Sequence, residues 1–368
     1  MSNFNKEEML KTLDENISKL KDKTFNVFFY ILDTKGNPTP SLEYIYQTAL
    51  SLKKKGYNVT MLHQEKDFIG VEDWLGKEYA ELKHANIEKD NVNVSPCDFL
   101  VIPEIFANVM SQTKDLRCKK VVLVQDYKNI TEFMPVSKTM TDFGIIDIIA
   151  TTKKNAEMTA KYFPGVRSSI VSPSIMPVFR NNDNPRKLVI NIISKDVQEI
   201  HRIMKPFYWE NQLYKWVSFR DIRGLSKEAE AEALRDAFAT IWLSDKNDFG
   251  AGLLEALSCG TIVLAKVPEA PADWMLDEEG KLTESIIWFD DADSLPDMIA
   301  PLVRSWTLDK VPADVYTDQS KFYKMFTQEK MDNEIDEAYV KNLFERRLKE
   351  FEEVKKDVEN NVFKGEIE

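Results

Sequence analysis

Short apolar runs alternate with helical stretches along almost the whole chain, and this alternation most limits the folds open to it. Phe25–Leu32 reads FNVFFYIL and is bounded by charge and by Gly36-Asn37-Pro38. Tyr57–Leu62 (YNVTML), Asp98–Ile102 (DFLVI), Lys120–Val124 (KVVLV) and Ile145–Ala150 (IIDIIA) follow, then a shorter run at Ser169–Val171. Runs apolar at consecutive positions, rather than at alternate ones, mark strands covered on both faces. Helical stretches separate some of them, at 41–55 with Gly56 as a C-cap and at 153–162. Strand–helix–strand repetition calls for parallel pairing through right-handed crossovers. Residues 24–175 are therefore read as one doubly wound, Rossmann-like α/β domain.

The alternation then stops and restarts. Residues 176–187 hold prolines and a polar cluster and read as a linker. Leu188–Ile193 (LVINII), Lys215–Phe219, Ala239–Leu243 (ATIWL), Thr261–Ala265 (TIVLA) and Ile286–Phe289 are strands, alternating with helices at 196–209, 226–238 and 250–258. Residues 188–330 form a second Rossmann-like domain. Residues 1–23 read as a surface helix. Residues 331–368 read as a charged helix with Ile335, Tyr339, Leu343, Leu348 and Phe351 on one apolar stripe. Two doubly wound domains in tandem imply a cleft between two rows of strand ends, where ligands of such sheets bind.

Charge narrows the partners. Against 49 Lys and Arg stand 61 Asp and Glu, a net charge of −12. A protein built around a polyanion carries a basic balance or stripe, so nucleic-acid or anionic-membrane binding is not expected as the main activity. Three widely spaced cysteines, Cys97, Cys118 and Cys259, make neither a disulfide framework nor a metal signature. The N-terminal stretch lacks an apolar signal core, and no run of about 18 apolar residues exists. A cytoplasmic protein without a membrane span is expected.

The most informative stretch is 244–268. The strand ATIWL ends in the polar residues Ser244–Asp248, and Phe249-Gly250-Ala251-Gly252 then opens a helix with small residues in its first turn. Small residues admit a ligand to the backbone, and free N–H groups at a helix start suit a phosphate or diphosphate. Glu255 lies one turn in, where a carboxylate accepts hydrogen bonds from hydroxyls. Cys259-Gly260 ends the helix and a strand follows.

The string FGAGLLEALSCGTIVLA resembles the donor-site motif of GT-B glycosyltransferases, particularly the retaining family 4 type. Glu255 matches the motif's second glutamate, which in the family holds the donor's ribose hydroxyls. The first glutamate falls at position 247, where this chain has Asn247. Asn247 retains hydrogen-bonding capacity toward a sugar hydroxyl but carries no charge. The resemblance implies a GT-B fold and transfer of a hexose or pentose from a nucleotide-sugar donor. It also implies retention at the sugar carbon and independence of metal, with the nucleotide-sugar as co-substrate and no other cofactor. In this reading Glu255 orients the ribose, Asn247 touches the sugar, and Phe249, Gly250 and Gly252 form the turn at the diphosphate. Ser194 and Lys195 follow LVINII, Arg220 and Arg223 follow KWVSF, and Lys266 follows TIVLA. These basic strand ends are expected to attend the diphosphate, with Lys195 standing in for a family arginine.

The first domain is expected to take the acceptor, a saccharide or lipid-linked glycan by family default. Its loop Asp33–Ser41 carries Pro38-Thr39-Pro40 where family members often have paired glycines, and Glu104 and Asp126 follow strands at the cleft. His63 ends a strand, whereas His84 and His201 lie in polar stretches read as exposed and helical. Among the tryptophans, Trp274 is the candidate cleft residue. FRDIRG and the KVP after the motif also look like glycosyltransferases of bacteriophages, some of which decorate modified DNA bases. A GT-B scaffold that only binds a nucleotide or sugar, and a nucleotide-sugar epimerase, remain open alternatives. The oligomeric state is left open.

Overall fold

The computed structural model describes residues 6–182, 185–194, 196–244, 249–269, 271–308 and 319–360. Lys195 and Asn247 lie outside the described residues.

The first sheet has seven strands: β1 (Asn26–Tyr30), β2 (Asn58–His63), β3 (Lys83–Asn86), β4 (Phe99–Pro103), β5 (Lys119–Val124), β6 (Ile145–Ala150) and β7 (Arg167–Ile170). Their spatial order is β3-β2-β1-β4-β5-β6-β7, and every pair is parallel. Successive residues of β1 serve opposite faces: Val27 and Phe29 pack in one core cluster, Phe28 and Tyr30 in the other. This two-sided burial is why the run reads as continuously apolar.

The second sheet has five parallel strands: β8 (Lys187–Ile193), β9 (Ser218–Asp221), β10 (Ala237–Trp242), β11 (Ile262–Lys266) and β12 (Ile287–Phe289), ordered β12-β11-β10-β8-β9. It too is packed on both faces. Each sheet has one point where the chain reverses its direction of travel across the strands, between β1 and β4 and between β8 and β10. Connections leave such a point in opposite directions, so a crevice opens there at the carboxyl ends.

The structure departs from the sequence reading in places. β3 (KHAN) carries no apolar run because it is an edge strand, so His84, read as helical and exposed, lies in a strand instead. Its Nε2 pairs with the Tyr46 hydroxyl at 2.8 Å, and burial pulls its pKa below the ordinary value, aided by nearby His63. β9 begins at Ser218, three residues later than expected, because a tight turn at Gln212–Tyr214 precedes it. Within the stretch read as linker, Phe179 is fully buried in the second core together with Ile175.

The chain returns to the first domain at its end. Gln328–Ile335, a π-helical stretch Asp336–Glu345 and Arg346–Glu359 run on continuously. Ile335, Tyr339 and Leu343 of the expected stripe are buried in the first core, and Leu348 and Phe351 pack at its margin. Phe344 meets the rings of Phe25 and Phe99 edge-on at 4.9 and 4.7 Å. Such pairs add about 0.5–1.5 kcal/mol each beyond area burial. The outgoing and returning crossings are tied where the Ile175 N–H donates to the Phe326 carbonyl at 2.7 Å. The helix Lys6–Lys21 packs on Arg346–Glu359, with Lys21 2.8 Å from Glu352 and Lys355 2.6 Å from Asp14. Among the described residues, no helix is long and apolar enough to cross a membrane.

Candidate functional site

A cavity of about 490 Å³ opens where the reversal points of the two sheets face each other. The first domain contributes Pro38, Thr39 and Pro40 from the loop after β1, and Asp126 and Asn129 after β5. Thr39 caps the helix Pro40–Lys54 by accepting the Leu42 N–H, and Pro40 takes its first turn, where its missing N–H costs nothing. The loop is thereby held as a stiff wall.

The second domain contributes Ser194 after β8, Arg223 after β9, Trp242 and Ser244 at the end of β10, and Gly252 and Glu255 from the helix Ala251–Ser258. Four residues singled out in the sequence, Ser194, Arg223, Gly252 and Glu255, thus lie at one cavity. The Ser194 hydroxyl contacts the Glu199 carboxylate and accepts the Asp196 N–H at 3.1 Å. Arg223, which lines the cavity, grips Asp221 through two nitrogens at 2.9 and 2.5 Å.

The remaining residues are placed differently. Arg220 is interior to β9, so its side chain points along the sheet face rather than past the strand end. It donates to the Asn191 side chain at 2.9 Å and to the Ala233 carbonyl at 2.6 Å, and does not line the cavity. Lys266 ends β11, one strand removed from the reversal point, and is half-buried away from the cavity lining. Phe249 is buried, its ring edge-on to Phe326 at 5.1 Å. Gly250 starts the helix with φ 75°, a left-handed conformation that favours glycine. Trp274 belongs to the core, since it is buried, donates to the Phe249 carbonyl at 2.7 Å and packs on Phe322. Gly252 makes room for a side chain: a Cβ there would lie 2.1 Å from the Trp242 ring, which forms an aromatic wall of the cavity.

Lys227 was not legible as a site residue. It heads the helix Lys227–Asp236, is 5% exposed and lines the cavity. Its ammonium lies 2.9 and 3.1 Å from the two oxygens of Glu255, 2.8 Å from Glu43 and 3.4 Å from Glu230. Burial pulls the ammonium's pKa down, but the three carboxylates outweigh it and hold it well above the ordinary value. Burial pushes the Glu255 carboxyl well up, against the pull of Lys227, and raises that of Glu43 against the same pull. A lone lysine on a helix has no sequence signature. Only the fold brings Glu43, 184 positions away, against it.

Behind the first-domain wall, Glu104 just after β4 accepts the Asp126 N–H at 3.0 Å and the Asn129 side chain at 2.9 Å. Its second oxygen is buried without a partner, and burial raises its carboxyl to about 7. Among the described residues, no three His, Cys, Asp or Glu side chains converge as a metal site.

Two doubly wound sheets with facing strand ends around one cavity define the GT-B architecture. No family model matches the chain, and no curated protein matches it. Solved structures do. Sucrose-phosphate synthase from Thermosynechococcus elongatus superposes with a TM-score of 0.57 at 12% identity, covering 86% of this chain and 98% of the other. HepE of Anabaena, solved with UDP and glucose, gives 0.59 at 10%, covering 86% and 100%. An α-glucosyltransferase bound to UDP and a 13-mer DNA gives 0.51 at 11%, covering 82% and 94%. The chain has the GT-B fold of these glycosyltransferases.

Proposed function

We propose that this protein is a glycosyltransferase that moves a sugar from a nucleotide-sugar donor to an acceptor hydroxyl. The observation carrying the reading is the interdomain cavity with the buried Glu255 at the start of a helix, in the place the motif resemblance assigns to the ribose. The second domain takes the donor. Glu255 accepts from the ribose hydroxyls, Trp242 forms a flat apolar wall, and Ser194 and Arg223 reach the diphosphate. Lys195 and Asn247 are assigned the phosphate and the sugar on the resemblance alone. Arg220 and Lys266 act on this site at most through the sheet.

The acceptor enters along Asp126, Asn129 and the proline wall. In the retaining, metal-independent course, the bond from the sugar carbon to the phosphate oxygen breaks and the bond to the acceptor oxygen forms on the same face. The acceptor proton passes to the departing phosphate. Closure of the domains keeps water from the activated sugar.

A saccharide acceptor is the first reading. A hydroxylated DNA base is the second, favoured by the fold shared with an α-glucosyltransferase solved on DNA and opposed by the charge of −12. The test is a thermal-shift panel of UDP-, GDP-, ADP- and dTDP-sugars, followed by release of nucleotide with and without saccharides or hydroxymethylated duplex DNA. A ligand at a hundredfold over its Kd adds about 2.7 kcal/mol. No shift with any nucleotide overturns the reading. Binding without turnover leaves a nucleotide-binding scaffold, and isomerised donor without acceptor an epimerase.

A further inference from the structure

Lys227 breaks a local rule. A cation in the first turn opposes the helix dipole, and a buried ammonium is costly unless paired. It is retained where carboxylates from both domains converge. Glu43 comes from the helix Pro40–Lys54 of the first domain, and Glu230 and Glu255 come from the second. The ammonium also lies 5.2 Å from the ring of Phe179, on the segment joining the domains. Both Glu255 oxygens are engaged by Lys227. Glu255 lines the cavity, while Glu43 does not. A ligand hydroxyl that donates to Glu255 therefore shares those two oxygens with Lys227 and weakens their hold on the ammonium.

We infer that Lys227 is a donor-responsive clasp between the two domains, passing occupancy of Glu255 to Glu43. The inference rests on the donor reading above. Three carboxylates around one ammonium leave excess negative charge in a buried place. Two ribose hydroxyls donating to Glu255 satisfy that carboxylate with neutral groups. Lys227, already 2.8 Å from Glu43, then leans more fully on that carboxylate and tightens the first domain onto a loaded second domain. Lys227 and Glu43 are positioning residues here, since neither touches the reacting bond. The order of events follows: donor first, then closure, then acceptor.

The test uses the full chain labelled at one introduced surface cysteine per domain, with UDP-, GDP-, ADP- and dTDP-glucose as probes. Donor affinity is read by calorimetry and interdomain distance by energy transfer. In the unaltered protein one probe binds and shortens the distance. In Glu43→Gln the same probe is expected to bind within about threefold, the shortening is lost, and kcat falls at constant donor KM. Lys227→Arg keeps the charge and retains the shortening. Lys227→Met loses it, whether or not that variant also binds more weakly. Shortening in Glu43→Gln equal to that of the parent overturns the clasp and leaves the donor reading standing. Failure of all four probes to bind the parent overturns the donor reading and the trigger with it.

Discussion

The Trp242 indole occupies the space where residue 252 would carry a side chain: a Cβ on Gly252 would come within 2.1 and 2.4 Å of two ring carbons. Gly252, read as opening the backbone to a phosphate, lines the cavity and also seats the aromatic ring that walls it. Gly252→Ala is expected to push the indole into the cavity and cost about 1–3 kcal/mol, as overpacking does. Trp242→Ala in the same chain should recover most of the stability without recovering nucleotide affinity. Thermal melts and calorimetry on the two single variants and the double variant check this. Equal affinity in all three would remove the indole from the donor site.

Glu255 separates stability from function. Glu255→Gln keeps the shape of the side chain and leaves Lys227 paired with Glu43 and Glu230, so the loss of folding stability should stay well below the ~3–5 kcal/mol of a buried pair broken from one side. The carboxylate's hydrogen bonds to ribose should weaken by about 1.5–3 kcal/mol. A melt unchanged alongside a loss of nucleotide affinity is the expected pair of results. A large fall in stability would make Glu255 a structural residue first.

Glu104 sets a pH dependence. Burial lifts its carboxyl from an ordinary 4.5 to about 7, so the folded protein holds this proton more tightly than the unfolded chain. Stability from this group is fully present below about 4.5, declines as pH rises toward about 7, and is gone above it. The gap corresponds to ~3 kcal/mol at most. Glu104→Gln, isosteric and neutral, is expected to flatten this part of the curve between pH 4.5 and 7.5. Denaturant unfolding of both proteins across that range gives the difference directly, and parallel curves would count against a raised carboxyl.

The fold was legible because buried parallel strands announce themselves as apolar runs. FNVFFYIL, KVVLV, IIDIIA and TIVLA all fall within or across strands of the two sheets. KHAN was not legible, since an edge strand needs no apolar run, and Phe179 hid in a polar, proline-containing stretch. At the cavity, Glu255 and Gly252 were found through a contiguous motif, and Ser194 and Arg223 through their places at strand ends. Arg220 shows the limit of that reasoning, because one residue of register decides whether a side chain passes the strand end or lies on the face. Lys227 and Glu43 meet only through the docking of two domains, which no local pattern encodes.

Asp147 tests how far the first domain depends on the returning tail. It lies in β6 with its side chain buried, and it binds Arg167 of β7 at 2.9 and 3.0 Å and Arg346 of the tail at 2.5 Å, with Lys119 of β5 at 3.5 Å. Removing that charge leaves Arg167 and Arg346 facing a neutral group, while Lys119 keeps Glu350 at 3.8 Å. Asp147→Asn is therefore expected to cost about 1–3 kcal/mol, below the usual ~3–5 kcal/mol for a fully buried pair broken from one side, because water reaches both guanidiniums. Arg346→Met should cost less, because Asp147 keeps Arg167 and Lys119. A chain ending at residue 327 loses both Arg346 and the aromatic contacts of Phe344 with Phe25 and Phe99. It uncovers an apolar face of the first sheet as well, so it should be recovered as aggregate rather than as a monomer. If the truncated chain instead stayed monomeric and melted like the full protein, the tail would be an accessory to the first domain, and the penalty at Asp147 would have to come from Arg167 and Lys119 alone.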